Sequence, residues 1–398
     1  MPAANTASRY GTVTKTFHWL TALLILAIIP LGLIAQDMPY ETNEQLALKA
    51  QLFSLHKTLG VLVFIVAAAR IGWALSQHKP GPLHPERKAE TLAADVVHWL
   101  LYLSLVAVPL TGWIHHAATT GFAPILLPIG QSLPFVPKSE SVAALFGALH
   151  WAWGKIMIVT ILLHIAGALK HQFMDRDATL RRMWFGKGDL PATAPHHGNL
   201  VAPLAALAIF GLTTGAGAAA GIFALHDERP TTELAAVASD WTVTDGAIDI
   251  TVTQFGGPVI GSFADWTSAI SFDPDASGEA GTVTTTIAIG SLTLGSFSGQ
   301  AMGADFFNVA EYPTAVFDAV IIEENSAYTA DGTLTIKEDS VPVTLPFDLV
   351  VDGDTAQMTG TITLDRRDFG IGQSMGDESN LAFAVAVELR VTATRGAE

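Results

Sequence analysis

Residues 143–173 constrain this chain most: the run is nearly free of charge and long enough to cross a bilayer, yet it carries His150, His164 and His171. An ionisable group at membrane depth is costly and marks function by default. His150 and His164 lie fourteen residues apart, close to four helical turns, so both rings leave one helix face about 21 Å apart along the axis. That spacing suits two stacked haems, one near each membrane surface. A lone imidazole there can equally serve as polar glue between helices. A bis-His haem needs one ring from each of two facing helices, so other apolar segments must supply partners at matching depths.

They do. The first apolar segment, about 16–35, has His18 at its start and is followed by Gln36-Asp37-Met38-Pro39, which offers no convincing small-residue cleavage site. It is read as a retained transmembrane helix rather than a secretory signal. The second, about 52–75, places His56 in its first turn and Arg70 fourteen residues on, along the same face. Arg70 suits a bidentate pair with a haem propionate, or snorkels to the headgroups. The third, about 92–116, has His98 near its start and His115-His116 at its end; the apolar, Pro- and Gly-rich loop GFAPILLPIGQSLPFVP that follows is expected on the membrane surface. A fifth segment, about 200–225, is rich in Gly and Ala and has no internal His, which assigns it to anchoring and close packing.

Basic residues precede segment one (Arg9, Lys15), join two to three (Lys79, Arg87, Lys88) and follow four (Arg176, Arg181, Arg182, Lys187). The alternate loops hold Asp37, Glu41 and Glu44, or Lys138 and Glu140. The positive-inside rule therefore places the N-terminus in the cytoplasm and everything after segment five outside it. On that orientation His56 and His150 lie near the outer surface, whereas His18, His98 and His164 lie toward the cytoplasmic side. The outer pair is defined; the inner level has three candidates for two places.

Composition limits the chemistry. With no cysteine, the chain has no disulfide, thiolate-ligated haem, CxxCH attachment or Cys-ligated cluster, so histidine must carry any metal chemistry. Residues 1–226 hold 15 Lys and Arg against 10 Asp and Glu, about +5, while residues 227–398 hold 6 against 27, about −21. A membrane portion with basic loops is thus joined to an acidic domain that avoids nucleic acid.

From about Glu233 the pattern becomes short alternating runs such as GAIDITVTQF, GTVTTTIAIG and AFAVAVELRV, broken by Gly and Asp-Gly turns. This predicts an antiparallel all-β barrel or sandwich, long enough for eight strands around a cavity. Phe255, Phe263, Trp266, Phe306, Phe307 and Phe317 are candidates to line it. Asp365, Asp368 and Asp377, without a nearby His, read as turn and rim residues rather than a catalytic set.

FHWL at 17–20, LHKTLG at 55–60 with Arg70 downstream, VHWLLY at 97–102 followed by PLTGW at 109–113, and His150 with LLHIAGALKHQF resemble the bacterial cytochrome b561 family. The resemblance covers about residues 8–188. It implies a di-haem, quinone-linked cytochrome with His18 and His164 on the inner haem and His56 and His150 on the outer one. His98 then becomes a neighbouring or quinone-site residue, with Arg70, Lys57 and His171 as further cofactor contacts. GSFADWTSAISFDP, ADFFNVAEYPTAVF, GTLTIKEDSVPVTLPFDL and DRRDFGIG resemble the YceI-like family of lipocalin-like periplasmic barrels that bind polyisoprenoids, including quinones. Members often carry a His in the first strand, where this chain has Thr253-Gln254-Phe255.

The expected architecture is an all-α transmembrane four-helix haem bundle (8–188), a fifth transmembrane helix and linker (199–226) and an all-β antiparallel lipocalin-like barrel (233–396). The expected protein is a bacterial inner-membrane di-haem b cytochrome moving electrons between an external donor and a ubiquinone-like quinone. Its partners are the bilayer, a quinone or other polyisoprenoid, and a redox partner protein. Two alternatives stand beside it: a superoxide oxidase passing electrons to ubiquinone, and a non-catalytic relay subunit with an isoprenoid carrier. A hydrogenase or dehydrogenase subunit shares the bundle.

Overall fold

The computed structural model describes residues 2–40, 42–119, 123–186, 190–194, 200–223 and 232–396. Gly121 and Phe122 of the apolar loop, and Glu41, Lys187, Leu225 and His226, lie outside them. The chain divides into two compact units, one helical and one β.

The helical unit contains α1 (Thr12–Asp37), α2 (Asn43–Leu75) from Gln51 onward, α3 (Lys88–Ala118), α4 (Glu140–Lys170), a short α5 (Thr179–Met183) and α6 (Val201–Ala219), while the first turns of α2 belong to the β unit. Five of these are long and apolar enough to cross a membrane. Leu23, Leu26, Ile65, Leu162, Leu163, Leu204 and Leu212 project outward from them, as a bilayer solvent requires. Ile25, Val63, Ala67 and Leu105 bring α1, α2 and α3 together inside, with Ile161 of α4 packed against them. Ser139 caps α4, its hydroxyl accepting from the Val142 N–H. At its other end α4 passes into a π-helical turn, His171–Asp175.

The fifth span packs on the bundle: Ala206 and Phe210 of α6 meet Leu100 and Leu103 of α3 and Trp153 and Ile156 of α4. The Trp153 indole donates to Thr214 at 3.0 Å. Small residues on α6 let this approach happen, in keeping with an anchoring role.

One expectation is corrected here. The second helix begins at Asn43, not near Leu52, so His56 stands several turns inside it rather than in its first turn. Hydropathy marks only the part of a helix that meets lipid; NEQLALKAQ is polar enough to escape that signal but consists of good helix formers.

The β unit is one antiparallel sheet of ten strands: β1 (Trp241–Gln254), β2 (Gly257–Phe263), β3 (Trp266–Phe272), β4 (Gly278–Ala288), β5 (Leu292–Thr293), β6 (Thr314–Glu324), β7 (Ala327–Ile336), β8 (Asp339–Asp352), β9 (Thr355–Asp365) and β10 (Leu381–Arg395). They run in the order β3-β4-β6-β7-β8-β9-β10-β1-β2-β5. The sheet curls into a half-barrel, and the start of β1 returns to β3, where Asp240 N–H donates to Ile270 O at 2.9 Å and the Trp241 indole to Phe272 O at 2.8 Å. The run GTLTIKEDSVPVTLPFDL, which reads as continuous, divides at Lys337 into β7 and β8, and other strands are joined by similarly tight hairpins. Asn325 and Ser326 both have positive φ between β6 and β7, as do Phe255 and Gly256 between β1 and β2. That is the turn geometry matching strand twist.

The barrel encloses two apolar chambers. One, of about 160 Å³, is lined by Ile250, Phe263, Phe306, Phe307, Phe369 and Val385 among others. The second, of about 100 Å³, is lined by Trp266, Phe317, Phe347 and Met358. Ile248 lines both.

Candidate functional site

In the helical unit the histidines form two groups. His56 of α2 and His150 of α4 face each other with ring centroids 6.2 Å apart and planes at 89°. His18 of α1 and His164 of α4 repeat this at 6.1 Å and 59°. Two imidazoles on opposite sides of one metal ion, each bonded at about 2 Å with roughly 1 Å from nitrogen to ring centre, have centroids about 6 Å apart. Both pairs meet that requirement. His98 lies 5.2 Å from His164, too close for the two rings to stand on opposite sides of one ion, and among the described residues its buried Nδ1 has no hydrogen-bond partner.

The His56–His150 pair is fixed by main chain. His56 Nδ1 is 3.0 Å from Ile28 O, and His150 Nδ1 is 2.9 Å from Val108 O. These carbonyls accept Nδ1–H, which leaves each Nε2 as the free lone pair. Four residues after each carbonyl stands a glycine on which the ring rests. A Cβ on Gly32 would fall 2.6 Å from His56 Cε1, and one on Gly112 would fall 2.9 Å from His150 Cε1. His115 uses the same arrangement, with Nδ1 at 2.7 Å from Ala143 O and its ring 3.1 Å from a Cβ placed on Gly147. Among the described residues no second imidazole is in ring contact with His115.

The other predicted contacts separate. Arg70 lies over the Tyr102 ring at 5.6 Å, and among the described residues no carboxylate is within ion-pair distance of it. Lys57 Nζ is 3.3 Å from His116 Nδ1 and donates to Ala123 O at 3.0 Å, while His116 Nε2 lies 2.9 Å from Gln131 Oε1. His171 belongs to a carboxylate cluster at the π-turn, with Nδ1 at 2.7 Å from Asp177 and Nε2 at 3.2 Å from Glu90. Burial pushes the Asp177 carboxyl up, but hydrogen bonds from the Thr179 backbone and hydroxyl and from His171 outweigh it and hold the group below its usual range.

In the β unit Phe263, Phe306 and Phe307 line the larger chamber, and Trp266 and Phe317 the smaller. Phe255 lines neither: at φ 47° it occupies the first position of the β1–β2 turn. The charged lining residue is Arg366, which sequence reasoning passed over. Its five N–H groups meet the carbonyls of Ala382, Ile371, Gly372, Met375 and Leu381 at 2.5–3.3 Å. Gln254 was also passed over as a site residue. It is the polar member of the inward alternation Ile248, Ile250, Val252, Gln254, a signal that was present in the sequence.

The prokaryotic cytochrome b561 model matches residues 9–186, and the YceI-like domain model matches 238–393. Cytochrome b561 homolog 2 of Escherichia coli is 33% identical over 184 residues, which is 46% of this chain and 95% of that protein. This chain belongs to the cytochrome b561 family. It also carries a YceI-like domain. A protein of Yersinia pestis described as a probable superoxide oxidase is 22% identical over 180 residues, 44% of this chain and 95% of its own length. The structure of BcnA from Burkholderia cenocepacia is 28% identical, covering 37% of this chain and 96% of that one with a TM-score of 0.36.

Membership in the cytochrome b561 family implies haem b and membrane electron transfer, and the YceI-like domain fits isoprenoid binding. The donor set of this cytochrome b561 suits haem: two facing imidazole pairs, and at one of them Nδ1 committed to main chain on both sides.

Ile248→Ala is expected to join the two chambers into one longer cavity, at a cost of about 2–5 kcal/mol for the lost side chain. Lengths of co-purifying isoprenoid chains, compared by mass spectrometry, check this. A distribution shifted to longer chains is the expected result.

Proposed function

We propose that the protein is an inner-membrane di-haem b cytochrome that carries electrons between an external donor and a ubiquinone-like quinone, with a tethered periplasmic barrel that binds a quinone or related isoprenoid. The observation that carries this reading is the pair of nearly equal imidazole separations, 6.2 and 6.1 Å. In it His56 and His150 hold the outer haem and His18 and His164 the inner one. Bound there, haem supplies one-electron redox chemistry with no open coordination site for substrate. The protein's own part is to fix ring orientation through Ile28 O and Val108 O, exclude water with an apolar shell, and offer Arg70 to a propionate. His98, with its unpartnered nitrogen beside His164, is placed to hold a proton for a quinone at the inner level. The distribution of basic loops supports a cytoplasmic N-terminus and a periplasmic barrel.

Quinol added to the purified protein is expected to change the haem α-band rapidly and saturably. A band that never responds would leave the cytochrome as a relay whose partner must be supplied. Superoxide as external donor is favoured by the description of the Yersinia pestis relative. Under this second reading a superoxide pulse reduces the α-band with similar saturation.

Gly112→Leu tests the ring cradle. The added side chain would enter the space of the His150 ring, so the purified variant is expected to retain about one haem per chain in place of two. Unchanged haem content would show that the cradle is dispensable.

A further inference from the structure

The larger barrel chamber is apolar except for three side chains, Gln254, Gln300 and Arg366. Arg366 is cationic, but its five N–H donors all meet carbonyls of the segment 371–382, so it has no donor left for a ligand. Gln300 is uncharged and partly exposed. Gln254 differs from both: it is 6% exposed, lines the chamber, and among the described residues its buried Oε1 has no partner. A buried amide oxygen left without a bond forfeits its hydration, and a ligand hydroxyl can restore the missing hydrogen bond.

We infer that Gln254 holds the head of a neutral isoprenoid, one ending in a hydroxyl or carbonyl, and that the chamber discriminates against isoprenoids with a charged phosphate head. An amide presents both an acceptor oxygen and two N–H donors, so it can pair with an alcohol, a quinol or a quinone whichever way it is turned. It cannot neutralise a phosphate. Burying that charge without a free cation is costly, and the domain around it carries a net charge of about −21. Position reinforces chemistry. Gln254 closes the inward row of β1, at a register shift against β10 between Val252 and Gln254, so the strand ends its aliphatic face on a hydrogen-bonding group. The chain of the ligand then lies along Val252, Ile250 and Ile248.

This inference rests on the reading of the barrel as an isoprenoid carrier, and the test separates the two. The full chain is purified in detergent and equilibrated with farnesol or with farnesyl phosphate, and the ligand it retains is measured. Wild type is expected to hold farnesol at least tenfold better than farnesyl phosphate. Gln254→Met, close in volume and apolar, is expected to lower farnesol retention about five- to tenfold, and Gln254→Asn to recover part of it. Equal retention of the phosphate overturns the preference for neutral heads. Undiminished farnesol in Gln254→Met overturns the role of Gln254. A chain that keeps neither compound overturns the carrier reading itself.

Discussion

Replacing His150 with alanine is expected to lower the haem bound per purified chain from two to one, and His164→Ala should do the same at the other level. The His98→Ala variant is expected to keep both. His18 and His164 are separated by the distance that two metal–imidazole bonds on opposite sides of an ion demand, whereas His98 and His164, at 5.2 Å, are too close for that arrangement. Haem extracted and quantified against protein decides the matter. Should His98→Ala lose a haem while His18→Ala keeps two, the inner assignment must pass to His98. Among the described residues the His56–His150 pair lacks that competition, because each ring has Nδ1 engaged by a carbonyl and no third imidazole is in ring contact with either.

The second large effect is expected in the barrel. Arg366→Gln should destabilise the β unit by at least about 3 kcal/mol, because a planar five-donor fork is replaced by a group with two donors. Several of the carbonyls between Ile371 and Ala382 then lose their partner in a protein-lined interior. Arg366→Lys should not rescue it, since an ammonium is a point charge with three donors and cannot span those acceptors. Limited proteolysis of the full chain reads this directly: cleavage within 371–380 should become fast in both variants while the helical unit stays intact. Resistance equal to wild type would show that the carbonyls find other partners.

Much of this architecture was legible in the amino-acid order because the physical signals were strong. Long, nearly uncharged runs announce helices long and apolar enough to cross a membrane, and five such helices are present among the described residues. What hydropathy could not show was where a helix begins in water, so α2 extends back to Asn43, well before its apolar run. Alternation revealed the β domain but not its strand count. Lys337, at φ 57° between β7 and β8, has no glycine to announce its turn, and Phe255 looks like a core residue until its own positive φ places it in a hairpin. The inner histidines could be ranked only by distances in space. Gln254 was the opposite case: its place in the alternation was visible, but a glutamine at an inward position carries meaning only once a cavity is known to exist there.

The glycines beneath His56 and His150 bear on how such a protein can change over generations. Each imidazole is steered by a carbonyl of the peptide chain, and a carbonyl is encoded by every codon alike. Substitutions at Ile28 or Val108 therefore leave the partner atom in place, whereas Gly32 and Gly112 admit almost no replacement. The His56–His150 centre should tolerate wide drift in the side chains around it while two small positions stay frozen. Any inherited adjustment of its redox behaviour must then come from the surrounding apolar shell and from charges farther away.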